Sequence, residues 1–506
     1  MSPLKVLFVL LWCSAVLTAN AERINHAGRL LGPAPVVTNA VLFNTAQADA
    51  ILGAMQIFPA DSAWNEDISR RPVLANSDAM IAQISSDLLS GRRALRAFKE
   101  MNFALIPDSQ PLLPIDFTYY EDQSDPSPYP IPSSLPVETW PSETSGLTLQ
   151  QWQQDVNGDG GDRHTIMVQP GAGFIWETWL TLLNGSQWEA ANGAKFDLKS
   201  NALRPATWTS GDAAGLPMFP ALPKFDECER GEIEHALRIV VKRTRAEFIY
   251  PARHSASVPY STDPNVPAMG QRLRLKSGFT IPGNWTKQEK AVLTALKKYG
   301  ALVADNGNFF SISVTPDNRW PDECFDHLST VGITNFEVIQ STSQNEGPRS
   351  PNPPGANAGP DRVVSPGQPV TLQGNGTWIG LPTTNRWKLY SGPGTATFAD
   401  ATRTNTTVLF SVPGTYTLLL SADDGVHAVA NDAVVYTVTQ SISVAISRNG
   451  PDVVLNWSGS SAPFVVERTA ALSPLSWQPW LTNSQSSATL PASNASGFFR
   501  VRATAP

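Results

Sequence analysis

Charge is scarce in this chain. Of 506 residues only 16% are Asp, Glu, Lys or Arg, and acids outnumber bases 44 to 37, for a formal charge of -7. A nucleic-acid partner needs a basic face, so none is expected. Cysteine is nearly missing: there are three, and Cys13 lies in the N-terminal apolar run, which leaves Cys228 and Cys324. Neither has a CxxC spacing, which removes a cysteine-built zinc site. The two either form one disulfide, as an oxidising compartment allows, or stay as separate buried thiols. No GxSxG elbow, phosphate loop or dinucleotide fingerprint is present, which disfavours a serine hydrolase, a kinase and a nucleotide-dependent oxidoreductase. Beyond the N-terminus no stretch approaches membrane-spanning length.

What is abundant points outside the cell. Lys5 precedes the apolar run Val6 to Leu17, and Ala19-Asn20-Ala21 offers small residues for cleavage. This reads as a signal peptide over 1–21 and predicts a secreted protein, extracellular or periplasmic. Proline, at 42 residues, fits many short strands and long loops, and the 15 tryptophans favour a carbohydrate partner, because indole faces stack on sugar rings.

The chain divides by composition. The main domain is expected over 22–345. Helical spacing predicts helices over Ala46 to Met55, from Asn76-Ser77 through Ile84, and over Lys287 to Tyr299, with Gly300 as the stop. HTIMVQP, GFIWETWLTLL, KFDL, QRLRLKSGFTI, ALVADNG, FFSISV and NFEVIQ read as strands. Leu237 to Val241 and Phe248 to Tyr250 read as a hairpin turned at Thr244-Arg245. Glu121 to Glu143 reads as a surface loop, and Asn201 to Pro223 as a long packed loop of the kind that walls a site. A Pro-rich linker at 346–355 leads to two small β-modules, 356–440 and 441–506. The fold expected is therefore mainly β: an antiparallel sandwich or distorted barrel with a few packed helices, then two β-sandwich modules.

Three resemblances add to this. ANAGPDRVVSPGQPVTLQGNGT, RWKLYSGPGTATFADA and VPGTYTLLLSADDG resemble the immunoglobulin-like polycystic-kidney-disease repeats, which serve as spacers or binding modules on secreted enzymes and adhesins. VVLNWSG, FVVERT, LSWQPW and FFRVRA resemble a fibronectin-like terminal domain found on secreted proteins of Verrucomicrobia and related bacteria. FPADSAWNEDIS, GDRHTIMV, FDLKSNALRPATWTSGDAAGLPMFP, GEIEHALRI, PARHSAS and KKYGALVADNG resemble a family of secreted bacterial proteins of unknown activity, so this likeness implies no mechanism.

The candidate site rests on chemistry. Three polar clusters, around Asp162-Arg163-His164, Gly231 to His254 and Asp305-Asn306, hold the candidates. Glu177 lies in FIWETWL with Ile175 and Trp179 on its face, where apolar surroundings would raise its pKa as a general acid requires. Asp305 is the candidate partner, with Asp197 and Asp162 as substitutes, and paired carboxylates are the arrangement of most glycosidases. Glu177 could instead be a structural partner of Arg238 or Arg274. His164, His235 and His254 complete the catalytic candidates, against the alternative of core histidines bonded to backbone. Arg238, Arg253, Trp179, Trp208 and Asn306 are candidate substrate contacts. Asp155, Asn157 and Asp159 resemble half a calcium loop, but position twelve is Ile166, so a plain turn is favoured and no cofactor or metal is expected. The acidic run Glu227, Glu229, Glu232 and Glu234 reads as a solvated face. The function expected is a polysaccharide-directed glycoside hydrolase. Its rivals are a non-catalytic carbohydrate-binding or cell-surface protein, and a metal-dependent hydrolase or polysaccharide lyase using His and Arg.

Overall fold

The computed structural model describes residues 23–503 apart from 143, 257–260, 341–352, 366, 379–380, 440–441, 460–462, 470–475 and 492–497. The expected signal peptide and most of the expected linker lie outside these residues. The described chain is mostly β, arranged in several sheets with few helices, and none of its sheets closes into a barrel.

The two largest sheets of the main domain have five and six strands, beside a three-stranded and a two-stranded one. The first has the order Asn192–Asp197, Phe174–Trp179, Thr165–Gln169, Ala104–Leu105 and Val41–Leu42. The second has the order Phe336–Val338, Arg272–Leu275, Ala301–Asn306, Leu237–Val241, Phe310–Val314 and Leu95–Lys99. Both are mixed rather than purely antiparallel, since Leu237–Val241 runs parallel to Ala301–Asn306 and Ala104–Leu105 parallel to Thr165–Gln169. One continuous apolar core takes Ile166, Val168 and Ile175 from the first sheet and Leu237, Ile239, Val303 and Ile312 from the second. Burying both faces explains the near-continuous apolar runs of the central strands. Helix Lys287–Lys298 starts at Thr286, whose hydroxyl accepts from Glu289 N while the Glu289 side chain accepts from Thr286 N. It buries Val292, Leu293 and Leu296, as its spacing predicts.

The expected hairpin does not form. Leu237–Val241 pairs with Ala301–Asn306 and Phe310–Val314, while Phe248 makes only an isolated bridge to Met269. Lys242, Arg243 and Arg245 pull that connection outward to Asn308, Asp87 and Glu247. The proposed surface loop before residue 143 is also corrected: Tyr129, Ile131 and Leu135 form a second small core with Trp188. Cys228 and Cys324 are both free and buried.

The two C-terminal modules are β-sandwiches with their own cores. In the first, strands Arg362–Val364, Ala430–Val438, Gly414–Asp423 and Thr384–Ser391 face a sheet of Val370–Thr371, Thr407–Phe410 and Ala396–Phe398. Trp387 is buried between them and donates to Thr404 O. Tyr416 donates its hydroxyl to Val412 O at 2.8 Å, the tyrosine corner of immunoglobulin-like domains. The second module packs Leu455, Trp457, Phe464 and Val466 between two three-stranded sheets.

No core residue is shared between the main domain and either module. Contacts across the boundary include Leu30 N to Tyr390 Oη at 3.0 Å and the exposed Arg70–Asp423 pair at 3.5 Å. Exposed pairs of this kind contribute little. A 22–345 fragment should fold by itself and melt within about 4 °C of the main-domain transition of the full chain in calorimetry. An unfolded fragment would show that the modules are part of the main fold.

Candidate active site

The centre of the main domain is a buried guanidinium. Arg238 lies mid-strand and is buried, 2% exposed as a residue. Its Nε donates to Asp212 Oδ2 at 3.0 Å and its Nη2 to Asp212 Oδ1, a two-point fork. Its Nη1 donates to Ser313 Oγ, and that hydroxyl donates to Glu100 Oε1 at 2.6 Å. Asp305 Oδ2 stands 3.8 Å from Nη2. Burial opposes the charge on Arg238, but Asp212 and Asp305 hold it above its ordinary value.

Asp212 comes from the long loop, which is packed down as its composition predicts. Ser210 Oγ ties the loop to itself by donating to Leu216 O at 2.6 Å and accepting from Asp212 N at 3.0 Å. Gly215 has φ +68°, and a Cβ there would meet Trp208 O at 2.5 Å, so the bend needs glycine. The same loop caps Glu177. Met218 N donates to both carboxyl oxygens, at 2.9 and 3.0 Å, and Phe219 N donates to Oε1 at 3.0 Å. Glu177 is 0% exposed, and burial pushes it up to about 7 against the help of those two amides. Neither suspected arginine is its partner: Arg238 holds Asp212, and Arg274 holds Glu337.

His164 is equally enclosed. Its Nδ1 donates to Glu138 Oε2 at 2.8 Å and its Nε2 to Gly211 O at 2.9 Å. Both ring nitrogens face acceptors, so both carry protons. Burial opposes that charge, yet Glu138 pushes His164 up to about 9. The contacts and charges of this region join five carboxyls, Glu100, Glu138, Glu177, Asp212 and Asp305, to two cations, Arg238 and His164. Three carboxyls are left over, and Glu100, Glu177 and Asp305 are pushed up, to about 7, 7 and 6. Burial is the leading cause in each, and for Asp305 the Asp212 charge adds to it.

The side chains reached by solvent lie at the rim. Asp305, at the end of its strand, keeps 30% of its side chain exposed. Asn306 accepts from Thr244 Oγ1 at 3.2 Å. His254 is half-buried, and its Nδ1 donates to Ala213 O at 2.7 Å. Arg253 donates through Nε to Arg204 O at 2.8 Å. Trp208, half-buried, shares the Arg204 guanidinium with Phe196, and Arg204 in turn pairs with Asp125. Trp179, also half-buried, sits 6.3 Å from Tyr120 between ring centroids.

Several expected roles are corrected. Glu177 and His164 are sealed and fully bonded, so neither touches a substrate as acid or base. His235 belongs to a different group: its Nδ1 faces Ala236 O and its Nε2 faces Glu227, at the opposite end of strand Leu237–Val241 from the residues that pair with Asp305 and Asn306. Of the acidic run, Glu229 and Glu232 are exposed as expected, whereas Glu227 and Glu234 are buried partners of Lys224, His235 and Arg29. Asp197 accepts from Lys199 N and so caps its own turn. Asp162 accepts from Trp179 Nε1 at 3.5 Å. Asp155 Oδ1 accepts from Asp159 N at 2.9 Å and lies 3.6 Å from Arg163 Nη1. Among the described residues no group of three or more His, Cys, Asp or Glu side chains is arranged to hold a metal. Sequence reasoning missed Asp212, Glu138, Ser313 and Glu100. Asp212 lies in the loop already read as a wall, whereas nothing local marks the other three.

Two outcomes follow from this charge arrangement. The three raised carboxyls bind protons in the folded state at pH values where the unfolded chain has lost them. His164 holds its proton up to about 9, against 6.5 unfolded. Each of these contributions is fully present below the unfolded pKa and is lost as pH rises through the folded one. The lowered pKa of Glu138 works the other way, on the acid side. The main-domain melting temperature should therefore fall from about pH 5 to pH 9, and Glu177→Gln should flatten the part between about 4.5 and 7 in pH-dependent melts. Arg238→Met leaves Asp212 buried and unpaired and should cost about 3–5 kcal/mol, while the double variant Arg238→Met/Asp212→Leu should recover most of it in urea unfolding.

No protein-family model matches this chain, and no curated protein does. Among solved structures it is similar to the PKD domain of the KIAA 1837 protein, at 24% identity over 18% of this chain and 90% of that one, TM-score 0.15. It is also similar to titin domains A168–A170, at 15% identity over 33% and 73%, TM-score 0.18. A third is a nucleoside hydrolase-related hypothetical protein from Saccharophagus degradans, described as associated with carbohydrate metabolism, at 16% identity over 32% and 40%, TM-score 0.16.

Proposed function

We propose that the main domain is a secreted, polysaccharide-directed enzyme of the glycoside hydrolase type, with Asp305 as its proton-donating acid. The observation that carries this reading is Asp305 itself. It is a carboxyl at the end of a strand, open to solvent, pushed up to about 6 by burial and by Asp212, so a large fraction keeps its proton near pH 6. Arg238, 3.8 Å away, is positioned to steady the carboxylate that remains once the proton has left. Trp208 and Trp179 offer half-exposed indole faces of the kind that stack on sugars. The signal peptide read from residues 1–21 and the C-terminal sandwiches suit a polymer met outside the cell.

The rival is a non-catalytic carbohydrate-binding protein, and one observation favours it. Glu177, His164, Arg238 and Asp212 are all buried and hydrogen-bonded, as in a purely structural polar core. A panel of polysaccharides, read by reducing ends and by the absorbance of unsaturated sugars, distinguishes hydrolase, lyase and binder. Under the proposed reading Asp305→Asn lowers turnover by about 10² to 10⁴-fold, while melting and polymer retention hold. Full activity in Asp305→Asn would remove Asp305 as the acid, and polymer retention with no turnover by the wild type would establish the binder.

A further inference from the structure

An acid needs a base, and the buried carboxyls cannot serve as one. Glu177 has both oxygens under Met218 N and Phe219 N, and Glu138 is taken by His164. The histidines divide on a simple question: which ring nitrogens are already engaged. In His26, Nε2 faces Glu234 O and Nδ1 faces Gln56. His164 and His235 also have both nitrogens engaged. In His254, Nδ1 donates to Ala213 O at 2.7 Å, and Nε2 meets no partner among the described residues. A carbonyl accepts only from N–H, so this contact fixes a proton on Nδ1 and leaves Nε2 unengaged by the described residues. His327 Nε2 also meets no partner among the described residues, but its Nδ1 is held by Glu289 at the start of helix Lys287–Lys298 and its ring stacks on Trp285.

A chain of backbone hydrogen bonds ties the His254 segment to the strand that carries Asp305. His254 N and Arg253 N both donate to Ala214 O, at 3.1 and 2.9 Å, and Ala214 N donates to Ala304 O at 2.9 Å. Ala304 precedes Asp305 and Ala213 follows Asp212. A three-residue segment thus carries the Arg238 partner, the acceptor that orients His254, and the link to the Asp305 strand. Thr207 N donates to Arg253 O at 2.6 Å, which fixes the segment from the other side.

We infer that His254 is the general base of the proposed hydrolysis, working with Asp305, to whose strand the Asp212–Ala214 segment tethers it. The inference rests on the hydrolase reading and deepens it. His254 Nε2 takes a proton from a water molecule as the water oxygen bonds to the anomeric carbon. The glycosidic C–O bond breaks, its electron pair passes to the leaving oxygen, and Asp305 supplies that oxygen with a proton. One water is consumed, and the proton gained by His254 returns to Asp305 through solvent. Because water displaces the sugar directly, the anomeric configuration inverts.

The test uses the full chain on whichever polysaccharide the wild type degrades. His254→Asn keeps a side-chain N–H close to the Nδ1 position, able to donate to Ala213 O, but has no basic nitrogen. It should melt like the wild type and lose about 10² to 10⁴-fold in kcat with little change in KM. His254→Ala should be slow and regain activity with added imidazole, a response that a merely structural histidine would not give. NMR of the first product should show inversion. Wild-type rate in His254→Asn, no imidazole rescue, or retention of configuration would each overturn the assignment and leave the hydrolase reading standing. Failure of the wild type on every glycan would sink both.

Discussion

Burying a guanidinium against the long loop is the constraint on which the main domain depends. An unpaired charge there would cost several kcal/mol, so Arg238 requires a carboxylate with both oxygens aligned. Asp212 meets that need, but only because an irregular, Gly- and Pro-rich loop is packed into the core to deliver it. Once inside, the loop must satisfy its own backbone. Met218 and Phe219 turn their amides to Glu177, Gly211 turns its carbonyl to His164, and Ser210 closes the bend. One ion pair thus explains why so many polar groups are buried together.

That packing separates the ionisable groups into two sets. Those behind the loop, Glu177, His164, Glu138 and Asp212, are bonded on every side and act as a fixed electrostatic background. Asp305 and His254 are only partly buried. The background acts on Asp305 through charge: Asp212 raises it while Arg238 and His164 lower it. A surplus of carboxyls over cations forces some of them to keep protons near neutral pH. Surpluses of this kind accumulate at sites that move protons more often than in structural cores.

Local pattern determined a good deal here. The expected helix over Lys287 to Tyr299 appears as Lys287–Lys298, and the expected strands of ALVADNG and FFSISV appear as Ala301–Asn306 and Phe310–Val314, because period and capping are properties of neighbouring residues. The mostly β character, the sandwich modules and the packed loop at Asn201 to Pro223 were legible for the same reason. Asp305 and His254 could be named as candidates. What local pattern could not supply was pairing. Strand Leu237–Val241 found partners about 60 and 70 residues away instead of the one next to it, since long-range pairing is decided by burial of both faces. The roles of the histidines likewise depended on which carbonyl or carboxylate stands opposite each nitrogen. His164, His235 and His254 look alike in sequence, and only the tertiary structure, by engaging two nitrogens on the first two and, among the described residues, one on the third, told them apart.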